Sequence, residues 1–171
     1  HVLLRPGDHL LVEYLADYVL MILRRDDMSA GHSHRDLVST MKDLISTGEA
    51  DRRDLRVLLT ALGWQEKERF LLVKLQSQNA ENAITSSNVL RNSLSAAFAG
   101  TFLFFHERQL CMVADMDTAC LDQAAFRSKL APFLRDSLMY AGVSLPVESI
   151  SHLNTAYVQA NYAVNLASRL R

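Results

Sequence analysis

Phe70-Leu71-Leu72-Val73-Lys74-Leu75 opens the stretch Arg69–Met116, whose reading decides the fold. Its six residues are apolar apart from Lys74, and so short a run between polar segments reads as a strand covered on both faces. The Ser/Asn-rich loop Gln76–Asn82 follows, and then a helix-like run over Ile84–Phe98 marked by Ile84, Val89, Leu90, Leu94 and Phe98. Two further apolar strands, Thr101–Phe105 and Leu110–Val113, flank the polar turn His106-Glu107-Arg108-Gln109. A strand, a helix and a hairpin in that order make half of a ferredoxin-like α+β sandwich.

The residues downstream supply the other half. Asp115–Thr118 reads as a turn, and Leu121–Met139 as a long helix presenting Ala125, Leu130, Phe133, Leu134 and Leu138, with Pro132 placed to kink or split it. Tyr140–Leu145 reads as a fourth strand. Ser151 is the expected N-cap of a last helix carrying Leu153, Ala156, Tyr157, Ala160, Ala163, Val164 and Leu166, whose small alanines imply close packing on the sheet.

Upstream the pattern is helical. Val2–Leu4 is a short apolar piece closed by the turn signal Arg5-Pro6-Gly7-Asp8, and Asp8 can cap a helix running to about Arg25. On that helix Leu11, Leu15, Tyr18 and Ile22 adjoin Val12, Ala16, Val19 and Leu23, so its apolar face is too wide to stay exposed. Core packing and a dimer seam with its twin both satisfy it; Leu11, Leu15, Tyr18, Val19 and Ile22 are the candidate dimer and relay residues. Asp26–His34 is a hinge around Gly31. A helical hairpin follows, with Leu37, Val38, Met41, Leu44 and Ile45 on a first helix closed by Gly48, and Leu55, Leu58, Leu59 and Leu62 on a second closed by Gly63.

Composition narrows the function classes. A chain of 171 residues is one domain with an appendage, and 49% hydrophobic with 22% charged residues is ordinary globular content. A net charge of −1 argues against a standing nucleic-acid surface. Cys111 and Cys120 are too few for a disulfide framework, and Cys111 lies in a strand, so a buried thiol in a reducing, cytoplasmic setting is expected. The longest apolar run, Leu10–Leu23, is broken by Glu13 and Asp17, and no membrane association is expected. With His1 in place of an initiator Met and a helical pattern reaching Arg171, a fragment of a longer protein is expected.

Several local strings, in order, carry a family resemblance. They are Asp43-Leu44-Ile45-Ser46-Thr47-Gly48, Leu58-Leu59-Thr60-Ala61-Leu62-Gly63-Trp64, the strand Phe70–Leu75, Ala141-Gly142-Val143-Ser144-Leu145-Pro146-Val147, and the helix from Leu153 through Ala156-Tyr157 to Ala163. Together, over roughly Leu37–Leu170, they resemble the GGDEF-like domain of the CdaR/PucR family of bacterial transcriptional regulators. The opening helix resembles the last helix of a GAF-type sensor. The resemblance implies three segments: 1–30, the terminal strand, helix and linker of a preceding GAF-like sensor region; 31–63, the helical hairpin; and 64–171, a degenerate GGDEF-like sandwich. It also implies a homodimer, an unidentified small-molecule effector, and DNA contact only through a helix-turn-helix absent from these residues.

The fold so implied resembles that of diguanylate cyclases, which makes cyclase chemistry one candidate activity. Cyclase chemistry needs two divalent metals held by carboxylates at the end of the first strand and at the hairpin. Here the strand runs into Gln76-Ser77-Gln78, and the hairpin tip offers only Glu107, expected to be solvated. His106-Glu107 begins like a zinc-protease motif but has Leu110 where the second His belongs. His32 and His34 have no acid or Cys at ligand spacing, Asp115 and Asp117 read as turn residues aided by a helix dipole, and Ser144 and His152 lack an orienting third group. No catalytic residue, metal or cofactor is therefore assigned. The expected role is signal relay and dimerisation between a ligand sensor and a DNA reader; the alternative is an effector-binding module of the same kind of regulator.

Overall fold

The structure is a computed structural model that describes residues 34–78, 83–118 and 122–170. The opening helix with Leu11, Leu15, Tyr18, Val19 and Ile22, the hinge with His32, and Cys120 lie outside the described residues. Among those described, helix α1 (His34–Thr47) and helix α2 (Arg52–Leu62) form a hairpin. Strand β1 (Phe70–Ser77), helix α3 (Ala83–Ala97), strands β2 (Thr101–His106) and β3 (Gln109–Asp115), helix α4 (Gln123–Asp136), strand β4 (Met139–Val143) and helix α5 (Leu153–Arg169) follow. The strands form one sheet in the order β2-β3-β1-β4, every neighbouring pair antiparallel. This is the α+β, ferredoxin-like arrangement that the stretch around Phe70 predicts.

Strand period sorts the side chains onto two faces. Leu71, Val73 and Leu75 of β1 join Leu110, Met112 and Ala114 of β3 in a core closed by Leu90, Leu94 and Phe98 from α3 and by Phe126 and Leu130 from α4. Phe70 and Leu72 face the other way with Phe102, Phe104, Cys111 and Val113, beneath Met41, Leu44, Ile45, Leu58, Leu153, Ala156 and Ala160. The sheet is thus the middle of three layers, and the α1–α2 hairpin shares its core with α5. No helix among the described residues is long and apolar enough to cross a membrane.

The caps follow local chemistry. Asp51 accepts from Arg53 N–H at 2.8 Å to start α2, and Gly63 (φ 70°) closes it. Trp64, whose ring centroid is 5.4 Å from that of Phe70, then anchors the entry to β1. Gly142 has a different task. A Cβ there would lie 1.9 Å from Ala160 O and 2.5 Å from Val164 N, so α5 rests backbone to backbone on β4. The buried Ala156 and Ala160 permit that approach, as the alanine spacing predicts.

The helical phases differ from expectation in detail. On α4, Leu130 is buried as expected together with Phe126, whereas Ala125 is exposed and Leu138 stands 63% exposed in the turn beyond the helix, at φ 51°. Pro132 sits inside one continuous helix, which ends at Asp136. Val89 points outward from α3 and Leu166 from α5. The N-cap of α5 is His152 and not Ser151, and it makes no side-chain capping bond; Ser149 instead starts the preceding short 3₁₀ turn Ile150–His152, its side chain accepting from Ser151 N–H. In each case the apolar residues outnumber the seats in the core, and the register of the packed neighbours decides which are taken.

Candidate functional site

At the hairpin end of the sheet, on the α5 face, a charged residue occupies a core position. Lys74 pairs across the sheet with Cys111 on one side and Gly142 on the other, so strand geometry points it under α5. It is 2% exposed. Its Nζ donates to Tyr157 Oη at 2.7 Å and to Asn161 Oδ1 at 2.8 Å, and lies 4.6 Å from the centroid of the Tyr157 ring. Tyr157 in turn donates its hydroxyl to Glu107 Oε2 at 2.8 Å, and that oxygen is 3.5 Å from Lys74 Nζ. Tyr157 and Asn161 lie four apart on one face of α5, the spacing a helix needs to place two side chains over one ammonium.

Glu107 is therefore not merely solvated, as its exposed turn position implied. The hydrogen bond from Tyr157, reinforced by the Lys74 charge, holds its carboxyl below the usual carboxylate value. Burial, and then the same carboxylate, push the Tyr157 hydroxyl up. Glu107 (φ 48°) and Arg108 (φ 64°) both adopt the left-handed conformation of a tight two-residue hairpin turn, without the glycine that normally relieves it. The contact with α5 helps hold that turn. His106 stacks edge-on against Tyr157 with ring centroids 5.3 Å apart, and burial lowers its pKa against the opposing pull of Glu107. Cys111 is a free, buried thiol pushed up to about 12 by burial, as expected of a structural cysteine. Gln76 and Gln109 complete this polar end; each buries a side-chain Oε1 with no hydrogen-bond partner.

The other candidates are structural. Asp115 is fully buried and its carboxylate accepts from Asp117 N–H, Thr118 N–H and the Thr118 hydroxyl, closing the turn after β3. Asp117 accepts from Arg69 through Nε and Nη2 at 2.8 and 2.6 Å, which holds its carboxyl low. Neither starts a helix; Asp122 caps α4, accepting from Ala125 N–H. Ser144 Oγ is buried and accepts from Leu72 N–H at 3.0 Å, while His152 is exposed. The ring of His34 opens α1 and lies 5.8 Å from that of Phe102. Among the described residues, no three His, Cys, Asp or Glu side chains are placed to hold one metal ion.

A second feature lies at the free edge of β2. A groove of about 480 Å³ is lined by His34, Arg35, Val38, Ser39 and Lys42 of α1, Arg91 of α3, and Phe104 and Phe105. Four of these residues are basic and none is acidic. The sequence concealed the groove because its cations come from segments about fifty residues apart.

Comparison with known proteins bears on the fold and family. The profile of the GGDEF-like domain matches residues 47–166, well over half of the chain. The chain belongs to the GGDEF-like domain family. The GGDEF-like fold is also similar to the crystal structure of a regulator of polyketide synthase expression from Bifidobacterium adolescentis, with a TM-score of 0.51 and 15% identity over 85% of this chain. The match covers 56% of that protein, so this GGDEF-like chain spans little more than half its length. No curated protein matches the sequence at a significant level.

Proposed function

We propose that this chain is a non-catalytic relay module of a cytoplasmic bacterial transcriptional regulator of the CdaR/PucR kind, standing between a ligand sensor and a DNA-reading domain. The observation that carries the reading is the Lys74–Tyr157–Glu107 chain of contacts. A cyclase needs carboxylates at the end of the first strand and at the hairpin to hold divalent cations. Here β1 contributes a buried cation 3.5 Å from the one hairpin-tip carboxylate, and a divalent ion at Glu107 would compete with that cation for it. The same contacts join the β2–β3 hairpin to α5, so displacement of one is passed to the other. Family membership and the fold shared with a regulator of gene expression support the regulatory role. The module would act as a homodimer.

The test uses the whole gene and a reporter driven by the adjacent promoter. Tyr157→Phe and Lys74→Met are expected to leave the protein level unchanged and to alter reporter response at least fivefold; normal response in both variants would sink the relay. Incubation of the chain with nucleoside triphosphates and Mg²⁺ or Mn²⁺ is expected to give no product. Turnover that disappears in Glu107→Gln would establish an enzyme instead.

The basic groove favours a second reading, in which the domain binds an anionic effector. Its volume falls within the ~300–1,000 Å³ typical of small-molecule sites. Thermal-shift screening against sugar acids, purines and nucleotides separates the two. Stabilisation by one anionic class, lost in Lys42→Glu and Arg91→Glu, would favour binding; no shift with any class would leave relay alone.

A further inference from the structure

The outward face of α5 is nearly without charge. Its exposed positions are Thr155, Val158, Tyr162, Asn165, Leu166 and Arg169, and only the last is ionised. Val158 (65% exposed), Tyr162 (71%) and Leu166 (46%) recur every four residues, and Leu170 (76%) continues the stripe. Leu145, 60% exposed, stands beside them, its N–H donating to Gln159 Oε1 at 2.9 Å. Five of the seven exposed large hydrophobic residues among those described therefore fall on one patch. Two other helices differ, α1 carrying Arg35, Asp36, Lys42 and Asp43 and α2 carrying Arg52, Arg53, Asp54 and Arg56; α3 is as poor in charge, but among its described residues it turns out the polar Asn92, Ser93 and Ser95, with Val89 as its one exposed large hydrophobic residue. Large apolar side chains, an exposed tyrosine and depleted charge are the composition of an interface centre.

We propose that this face packs against the same face of a second copy, the two α5 helices running antiparallel about a twofold axis near Tyr162. The charge pattern selects the occupant. A face with no acid and a single cation offers little to a charged peptide or to nucleic acid, and is matched by a surface equally free of charge, which the chain itself supplies. An isologous contact needs a self-complementary face, and the four-residue repeat provides one. Antiparallel pairing sets Tyr162 against the partner's Tyr162 and Leu166 against the partner's Val158. It also keeps the two Arg169 side chains at opposite ends, about 20 Å apart at 1.5 Å of rise per residue, whereas a parallel pair would set them side by side. The five apolar side chains, 46–76% exposed, present roughly 600 Å² per copy, the larger part of the ~800 Å² per partner of a standard interface. The proposal does not depend on the relay reading.

Sedimentation velocity on the 171-residue chain at high micromolar concentration tests the proposal. The wild type is expected to sediment as a dimer. Tyr162→Glu and Val158→Glu, both at exposed positions, are expected to keep the wild-type melting temperature and to sediment as monomers, with association weakened at least a hundredfold. Leu15→Glu, a substitution outside the proposed face, is expected to remain a dimer. A second measurement is geometric: Tyr162→Cys is expected to be joined into a covalent dimer by a short bismaleimide, and Val89→Cys is not. A monomeric wild type, a dimer unchanged in Tyr162→Glu, or no cross-linking at Cys-substituted position 162 would overturn it.

Discussion

Lys74 shows how a single residue can be read correctly for structure and missed for its role. Its place in an apolar run marks it as the one interruption of β1, and period two puts it on the α5 face. What the ammonium meets there depends on Tyr157 and Asn161, more than eighty residues later. The expected cost of substitution follows from these partners. Lys74→Ala leaves a cavity and strips Tyr157 and Asn161 of their donor, and is expected to lower stability by about 2–4 kcal/mol in urea denaturation. Lys74→Met keeps the volume and removes the buried charge, so its loss is expected to be clearly smaller; equal losses would mean the charge is the main source of stability at the site. Gly142→Ala drives a methyl into the α5 backbone, which cannot turn aside as a side chain can, and about 3 kcal/mol or more is expected from the same measurement. Arg108→Gly removes a left-handed non-glycine residue and is expected to gain up to about 1 kcal/mol.

Among elements, the β2–β3 hairpin and α5 are coupled through titratable groups. Glu107 has a lowered pKa when folded, so its contribution is complete above its ordinary value of 4.5 and is lost as pH falls through the lower folded value. His106 is also lowered, chiefly by burial; folding therefore favours the neutral ring, and stability declines as pH falls from 6.5 toward the folded value. Both have the same sign, the first setting in as pH falls below 6.5 and the second below 4.5. Urea midpoints measured from neutral to acid pH are expected to fall in two stages, with Glu107→Gln flattening the lower and His106→Gln the upper. A midpoint independent of pH across both windows would show that the hairpin is not held in this way. The strands and helices of this coupling were legible in the sequence to within a residue or two, because apolar period and turn residues are local signals. The faces of α3, α4 and α5 were less so. Val89, Leu138 and Leu166 look as apolar as Leu90, Phe126 and Val164, and only the neighbouring layer decides between them.

For the molecule as a whole, the sheet requires cover on both faces, and its second face is covered jointly by α5 and the α1–α2 hairpin. Phe70, Leu72, Phe102 and Ile150 belong to a core completed by Met41, Leu44, Ile45 and Leu58. A chain trimmed to begin at Trp64 is accordingly expected to lose its cooperative thermal transition and to bind a hydrophobic dye, since those residues would face water. Cooperative melting of the trimmed chain would show that the hairpin is dispensable. By itself the sequence determined the order of elements, the alternation of strand faces and the close packing of α5 on the sheet, because each is written in local pattern and residue size. Only the tertiary structure decided that a lysine, a tyrosine, an asparagine and a glutamate from three elements meet under one helix, that cations from α1 and α3 line one groove, and that the outer stripe of α5 stays uncovered. Those features arise from proximity between distant segments, which strand and helix period do not encode.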